Sequence, residues 1–97
     1  MDESIVRSSA QEHGDAVVAG DFATAGRTLT PESTDQAPAV MKALPRPLTA
    51  AKVESVEPQD DGFVARIRYS NDTDATVVAS TWASVDGAAR IVDLEVL

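Results

Sequence analysis

Apolar residues in the first part of the chain recur at the spacing of a helix. The recurring positions are Val6, Ala10, His13 and Val17. Intervals of four, three and four residues place these side chains on one face of a helix, which we predict over residues 2–19. Gly20 ends this helix in the manner of a C-cap glycine.

Two shorter helices are predicted after the first. The second helix covers residues 22–29 and has Asp21 as its N-cap. The third covers residues 36–44, with Thr34 or Asp35 as its cap, and the residues between the two helices have the composition of a loop. The residues expected to point inward are Phe22, Ala25, Leu29, Val40, Met41 and Leu44.

The second half of the chain alternates with a period of two, which is typical of strands. Four strands are predicted, over residues 48–57, 63–70, 75–84 and 89–97. The first strand should contain a bulge or lie at the edge of the sheet, because Val53 and Val56 have opposite parity. Asp86-Gly87 is a hairpin signal before the last strand.

The third strand carries no charged residue on either face. A strand of this kind is usually covered on both sides, and the helices of one chain can cover only one side. The apolar residues are also mostly Ala and Val, which bury little area each. We therefore expect a homodimer formed through the outer face of the sheet.

Helices followed by strands indicate an α+β fold within a single domain over residues 1–97. Three N-terminal helices, at about 2–44, are expected to pack on a curved antiparallel sheet of about four strands, at about 48–97. No internal repeat interrupts this order.

The order of elements resembles the nuclear transport factor 2-like superfamily. The local features that carry the resemblance are Gly20-Asp21-Phe22 at the second helix and the final run Asp-Gly-Ala-Ala-Arg-Ile-Val-Asp-Leu-Glu-Val over residues 86–96. The resemblance implies a cone-shaped fold with a pocket at its open end. Members include ketosteroid isomerase, scytalone dehydratase, limonene epoxide hydrolase, polyketide cyclases and non-catalytic association domains. The strand hairpin usual between the second and third helices is absent here, which predicts an incomplete pocket wall.

Charge and composition exclude several classes of function. The net charge is −8, from 16 acidic and 8 basic residues, which disfavours binding to nucleic acids or anionic membranes. The chain has no cysteine and no apolar run of the roughly 20 residues that a membrane span needs. The first residues also lack the pattern of a signal peptide, so we expect a cytoplasmic protein, with a trimmed leader left open.

His13 and Asp93 are candidates for acid–base catalysis. His13 is the single histidine and lies on the apolar stripe, where it could be an acid or base or simply a packed structural residue. Asp93 would be a base with a raised pKa if it faced a pocket. Strand parity instead makes Val92, Leu94 and Val96 the core set, which turns Asp93 outward.

Aromatic and apolar residues supply the remaining candidates. Tyr69 could donate a hydrogen bond to a ligand, and an apolar ligand could be bound by Phe22, Met41, Phe63 and Trp82. For Tyr69 and Trp82, a place in the core or in the dimer interface is the favoured interpretation. Arg66 and Arg68 could hold a carboxylate, although such a pair is more often solvated or part of an ion pair.

These patterns predict a non-catalytic module that binds a small apolar ligand or associates with a second copy of itself. The alternative is a cofactor-independent isomerase, dehydratase or hydrolase with His13 as acid or base and Tyr69 as hydrogen-bond donor. We expect no cofactor and no metal, because one histidine and no cysteine leave only carboxylates without ligand spacing.

Overall fold

The computed structural model describes residues 1–97 and has three helices followed by four strands. The elements are α1 (Glu3–Ala19), α2 (Phe22–Gly26), α3 (Pro31–Ala43), β1 (Ala50–Gln59), β2 (Gly62–Ser70), β3 (Ala75–Val85) and β4 (Ala88–Val96). The strands form one antiparallel sheet in the order β1-β2-β3-β4, which does not close on itself. The predicted α+β fold class is therefore confirmed. No helix combines the length and the apolar character needed to cross a membrane.

Helix α1 lies close against the sheet. Its N-cap is Asp2, whose carboxylate accepts a hydrogen bond from the Ile5 backbone, and Gly20 ends it with a φ of 75°. The predicted apolar stripe is confirmed, because all four of its residues are buried. A Cβ added at Gly14 would lie 3.0 Å from the Cβ of Ala51, so the absence of a side chain lets the helix approach β1.

The boundaries predicted for the second and third helices were wrong. Helix α2 ends at Gly26, and α3 begins at Pro31 rather than near residue 36. Thr30 is the N-cap of α3, and it exchanges hydrogen bonds with Ser33 in a capping box. Proline is favoured at the first position of a helix because its missing N–H is not needed there. Loop-like composition therefore concealed a helix start.

The segment before α3 is anchored to β4 at Ile91. The carbonyl oxygen of Ile91 accepts hydrogen bonds from the Thr30 backbone (3.1 Å), the Thr30 hydroxyl (2.9 Å) and the Ser33 hydroxyl (2.8 Å). The Ile91 backbone in turn donates to the carbonyl of Thr28 at 2.6 Å. Leu29 and Ile91 consequently form an isolated parallel bridge.

The alternation of faces predicted for β4 is interrupted by a bulge. Trp82 pairs with Ile91 while Thr81 pairs with Asp93, so Val92 is an extra residue in a bulge. Ile91 is consequently fully buried, whereas Val92 is half-buried. The predicted core set was therefore wrong at Val92, and also at Val96, which is 39% exposed.

The bulge predicted in β1 is confirmed. The pairing of β1 with β2 shifts between Val53 and Ser55, and Val53 and Val56 are both buried. Strand β1 runs further than predicted, through Pro58 to Gln59. The Asp86-Gly87 turn is also confirmed, with φ of 53° and 81°.

Two glutamine side chains attach helices to the outer strands. The amide of Gln11 donates to the carbonyl of Ala51 and accepts from the backbone N–H of Val53, at 2.9 and 3.1 Å. At the opposite edge of the sheet, the Gln36 side-chain oxygen accepts from the backbone N–H of Leu94 at 2.8 Å. Helix α1 is thereby joined to β1, and α3 to β4.

Gly62 supplies a test of this packing. A Cβ at this position would collide with the backbone carbonyl of Trp82, so we expect Gly62→Ala to lower the free energy of unfolding by roughly 1–3 kcal/mol. Gly26→Ala is the matched control, because a Cβ there meets no atom within 4 Å. Urea denaturation of both variants checks the prediction, and equal stabilities would contradict it.

Candidate functional site

A cavity of about 470 Å³ lies between the helices and the inner face of the sheet. Seventeen residues line it, from the three helices, the segments that follow α2 and α3, and three strands, and twelve of the residues are hydrophobic. The four polar side chains of the wall are His13, Thr34, Tyr69 and Ser80, and none of the lining residues is charged. The volume lies within the range typical of small-molecule sites.

Four of the predicted site residues meet at this cavity. His13 comes from α1, Phe22 from α2, Met41 from α3 and Tyr69 from β2. Tyr69 is 3% exposed, whereas Phe22 is 58% exposed. The sequence therefore identified residues from all three helices and from the sheet that share one wall.

The other three candidates lie outside the cavity. The Asp93 side chain is exposed and accepts a hydrogen bond from the Gln36 amide at 2.8 Å. Trp82 is fully buried in the core, where its indole N–H donates to the Ser80 hydroxyl at 2.9 Å. Phe63 pairs with Trp82 across β2 and β3 and packs against the same core.

The imidazole of His13 is oriented by the end of α2. Its Nδ1 lies 3.0 Å from the carbonyl oxygen of Ala25 and 3.0 Å from the hydroxyl of Thr28, and that hydroxyl donates to the same carbonyl at 2.9 Å. A carbonyl oxygen can only accept, so the hydrogen of the neutral ring is on Nδ1. The other nitrogen, Nε2, therefore has a free lone pair.

Burial keeps His13 neutral. The ring is 7% exposed, and loss of hydration lowers its pKa below the usual 6.5, while the hydrogen bond to Ala25 opposes this shift. Every side-chain nitrogen or oxygen atom that solvent cannot reach has a hydrogen-bond partner. Since Nε2 has no partner in the protein, it must lie where a small molecule or water can reach it.

Tyr69 presents a protonated hydroxyl. Burial raises the pKa of the phenol well above its usual value of 10, and the negative charge of Asp15 adds to this effect. The Tyr69 hydroxyl forms no hydrogen bond to another protein group. The hydroxyl is thus available to a molecule in the cavity as a donor or an acceptor.

Several cavity residues were missed in the sequence. Thr34, Ala37 and Pro38 were assigned to a loop or to the first turn of the third helix, yet α3 carries them into the wall. Helix α3 therefore forms a larger part of the cavity wall than its predicted bounds implied. Ser80 could have been found from strand parity, since it lies between the inward residues Val78 and Trp82.

The remaining polar groups lie elsewhere on the protein. Arg66 forms an ion pair of 3.2 Å with Glu57, and Arg68 is exposed. No group of three or more histidine, aspartate or glutamate side chains is arranged to hold a metal ion. No protein-family model matches the sequence, and comparisons with curated proteins and with solved structures find no match.

The lowered pKa of His13 predicts a pH dependence of stability. Between pH 6.5 and the native pKa, the unfolded chain binds a proton that the folded chain does not, so stability should fall as the pH decreases through this window. We expect a loss of stability between pH 7.5 and 5.5 from this residue. Denaturation in urea at several pH values measures it.

His13→Asn is the control for this measurement. The asparagine amide can still donate to the Ala25 carbonyl but does not titrate. The difference in unfolding free energy between the wild type and the variant should therefore change with pH in the stated direction, since His13 is the single histidine. Parallel pH profiles for the two proteins would contradict the prediction.

Proposed function

We propose that this protein binds a small, neutral, mostly apolar molecule in the cavity and does not transform it. The observation that carries the proposal is an uncharged, mostly hydrophobic wall inside a protein with a net charge of −8. Such a wall favours ligands that lose little hydration free energy on entering. Apolar surface buried in the cavity would supply most of the affinity.

The composition of the wall supports binding rather than catalysis. An isomerase, dehydratase or hydrolase would have to use His13 and Tyr69, because Asp93 lies outside the cavity. Burial holds both of these groups in their neutral forms. A wall without a carboxylate or a cation has little means to stabilise charge in a transition state.

A nuclear transport factor 2-like relationship forms part of this proposal. It is supported by the order of the elements, with three helices before a four-stranded antiparallel sheet, and by a cavity between the two layers. A fold shared with that superfamily would still leave the ligand undetermined, because its members differ widely in function. The proposal for the ligand therefore depends on the wall alone.

Filling the cavity should abolish binding. Ala37 lines the wall from α3, whereas Ala39 on the same helix is exposed and does not. We expect the neutral dye N-phenyl-1-naphthylamine to bind the wild type with a Kd on the order of micromolar. Ala37→Phe should weaken binding at least about 10-fold, and Ala39→Phe should leave it unchanged.

Fluorescence titration of the dye measures these affinities. Circular dichroism spectra of both variants serve to confirm that they are folded. Absence of dye binding to the wild type, or equal affinity for the two variants, would contradict the proposed function.

We also propose that the outer face of the sheet forms a homodimer. The centre of this face is half-buried and uncharged, at Val64, Val77, Ala79, Thr81 and Ala83. Arg66 on β2 and Glu95 on β4 lie on either side of Ala79 in the same row. A two-fold axis along β3 would bring Arg66 of one chain opposite Glu95 of its copy, which gives complementary charges.

A charge at the centre of the face should dissociate the dimer. We expect the wild type to sediment with about twice the mass of one chain of 10.2 kDa, and Ala79→Glu to sediment as a monomer. Ala39→Glu introduces the same charge on the exposed side of α3 and should remain a dimer. A monomeric wild type at micromolar concentration would contradict this part of the proposal.

A further inference from the structure

The polar groups of the cavity wall differ in how many hydrogen bonds they can still form with a ligand. Ser80 is already satisfied, because its hydroxyl donates to the Ala65 carbonyl at 2.9 Å and accepts from the Trp82 indole. His13 and Tyr69 keep free hydrogen-bonding capacity, and Thr34 lies on the exposed side of the wall. A ligand is therefore oriented mainly by His13 and Tyr69.

The free atom of His13 is an acceptor. Because Nδ1 donates to Ala25, the lone pair of Nε2 is the position left for a ligand. His13 lines both the cavity, together with Ala25, and a shallow surface pocket, together with Thr28. Nε2 is turned away from Nδ1 and has no partner in the protein, so it is the atom that the ring can offer to a molecule in the cavity.

Resting on the proposed function, we infer that the ligand carries a neutral hydrogen-bond donor, such as a hydroxyl or N–H group, that donates to Nε2 of His13. The ligand class is an apolar alcohol, phenol or amine that is uncharged at neutral pH. Tyr69 also lines the cavity, and its hydroxyl can accept a hydrogen bond from a ligand or donate one to it.

Charged ligands are disfavoured by the same geometry. A carboxylate would face the lone pair of Nε2 with no lysine or arginine in the wall to neutralise it. An ammonium group would find no carboxylate there. A ligand without a donor would enter, but it would leave Nε2 without a hydrogen bond.

Three probes of similar shape separate these possibilities. The probes are 1-naphthol, 1-methoxynaphthalene, which can only accept, and 1-methylnaphthalene, which can do neither. Their affinities are measured at pH 7.5 by displacement of N-phenyl-1-naphthylamine. We expect 1-naphthol to bind about 5- to 10-fold more tightly than either of the other two.

Two variants test whether His13 or Tyr69 causes the preference for 1-naphthol. His13→Asn keeps a donor for the Ala25 carbonyl but has no Nε2, so the preference for 1-naphthol over 1-methylnaphthalene should disappear. Tyr69→Phe keeps His13, so the preference should decrease but persist. The comparison of the three probes on the wild type tests the inference even if a variant fails to fold.

The outcomes distinguish this inference from the proposed function. Equal affinity for all three probes would overturn the inference and leave binding in the cavity intact. A preference shared by 1-naphthol and 1-methoxynaphthalene would also overturn it, because donation by Tyr69 would then be sufficient. No displacement by any probe, with no dye binding, would overturn both.

Discussion

The carbonyl oxygen of Ile91 is the interaction on which the site depends. Three hydrogen bonds from Thr30 and Ser33 converge on this atom, and they fix where α3 begins and where it lies along β4. The bulge that follows at Val92 turns Leu94 toward the cavity and Asp93 away from it. Without this anchorage, α3 would not form the wall opposite Tyr69 and His13.

The cavity itself follows from the size of the side chains. The buried core consists largely of alanine and valine, with Trp82 as its largest member. Small side chains let α1 approach the sheet at Gly14, but they cannot fill the space under α2 and α3. Interiors are normally packed to high density, so an apolar space of about 470 Å³ is suited to a ligand.

Much of this architecture could be predicted from the sequence. Periodicity gave the fold class, the buried stripe of α1 and the bulge of β1, because each depends on residues close together in the chain. The start of α3 was missed because its cap, Thr30, acts together with Ile91, which lies 61 residues away. Parity likewise failed at Ile91 and Val92 in β4, where an extra residue reverses the faces.

The candidate site could be predicted only in part, for a similar reason. Hydrophobic spacing placed His13, Phe22, Met41 and Tyr69 inside the protein, and the fold brings them to one wall. Spacing could not show that the end of α2 determines the tautomer of His13, since that depends on Ala25 and Thr28. Nor could it separate the cavity from the core around Trp82.

The glutamine contacts of the outer strands have a consequence for self-assembly. An open sheet presents unpaired backbone groups at its two edges, where a strand of another chain can add. Gln11 occupies such groups at Ala51 and Val53, and Gln36 occupies one at Leu94. Both edges are thus partly blocked against strand addition, and this disfavours uncontrolled growth into fibrils.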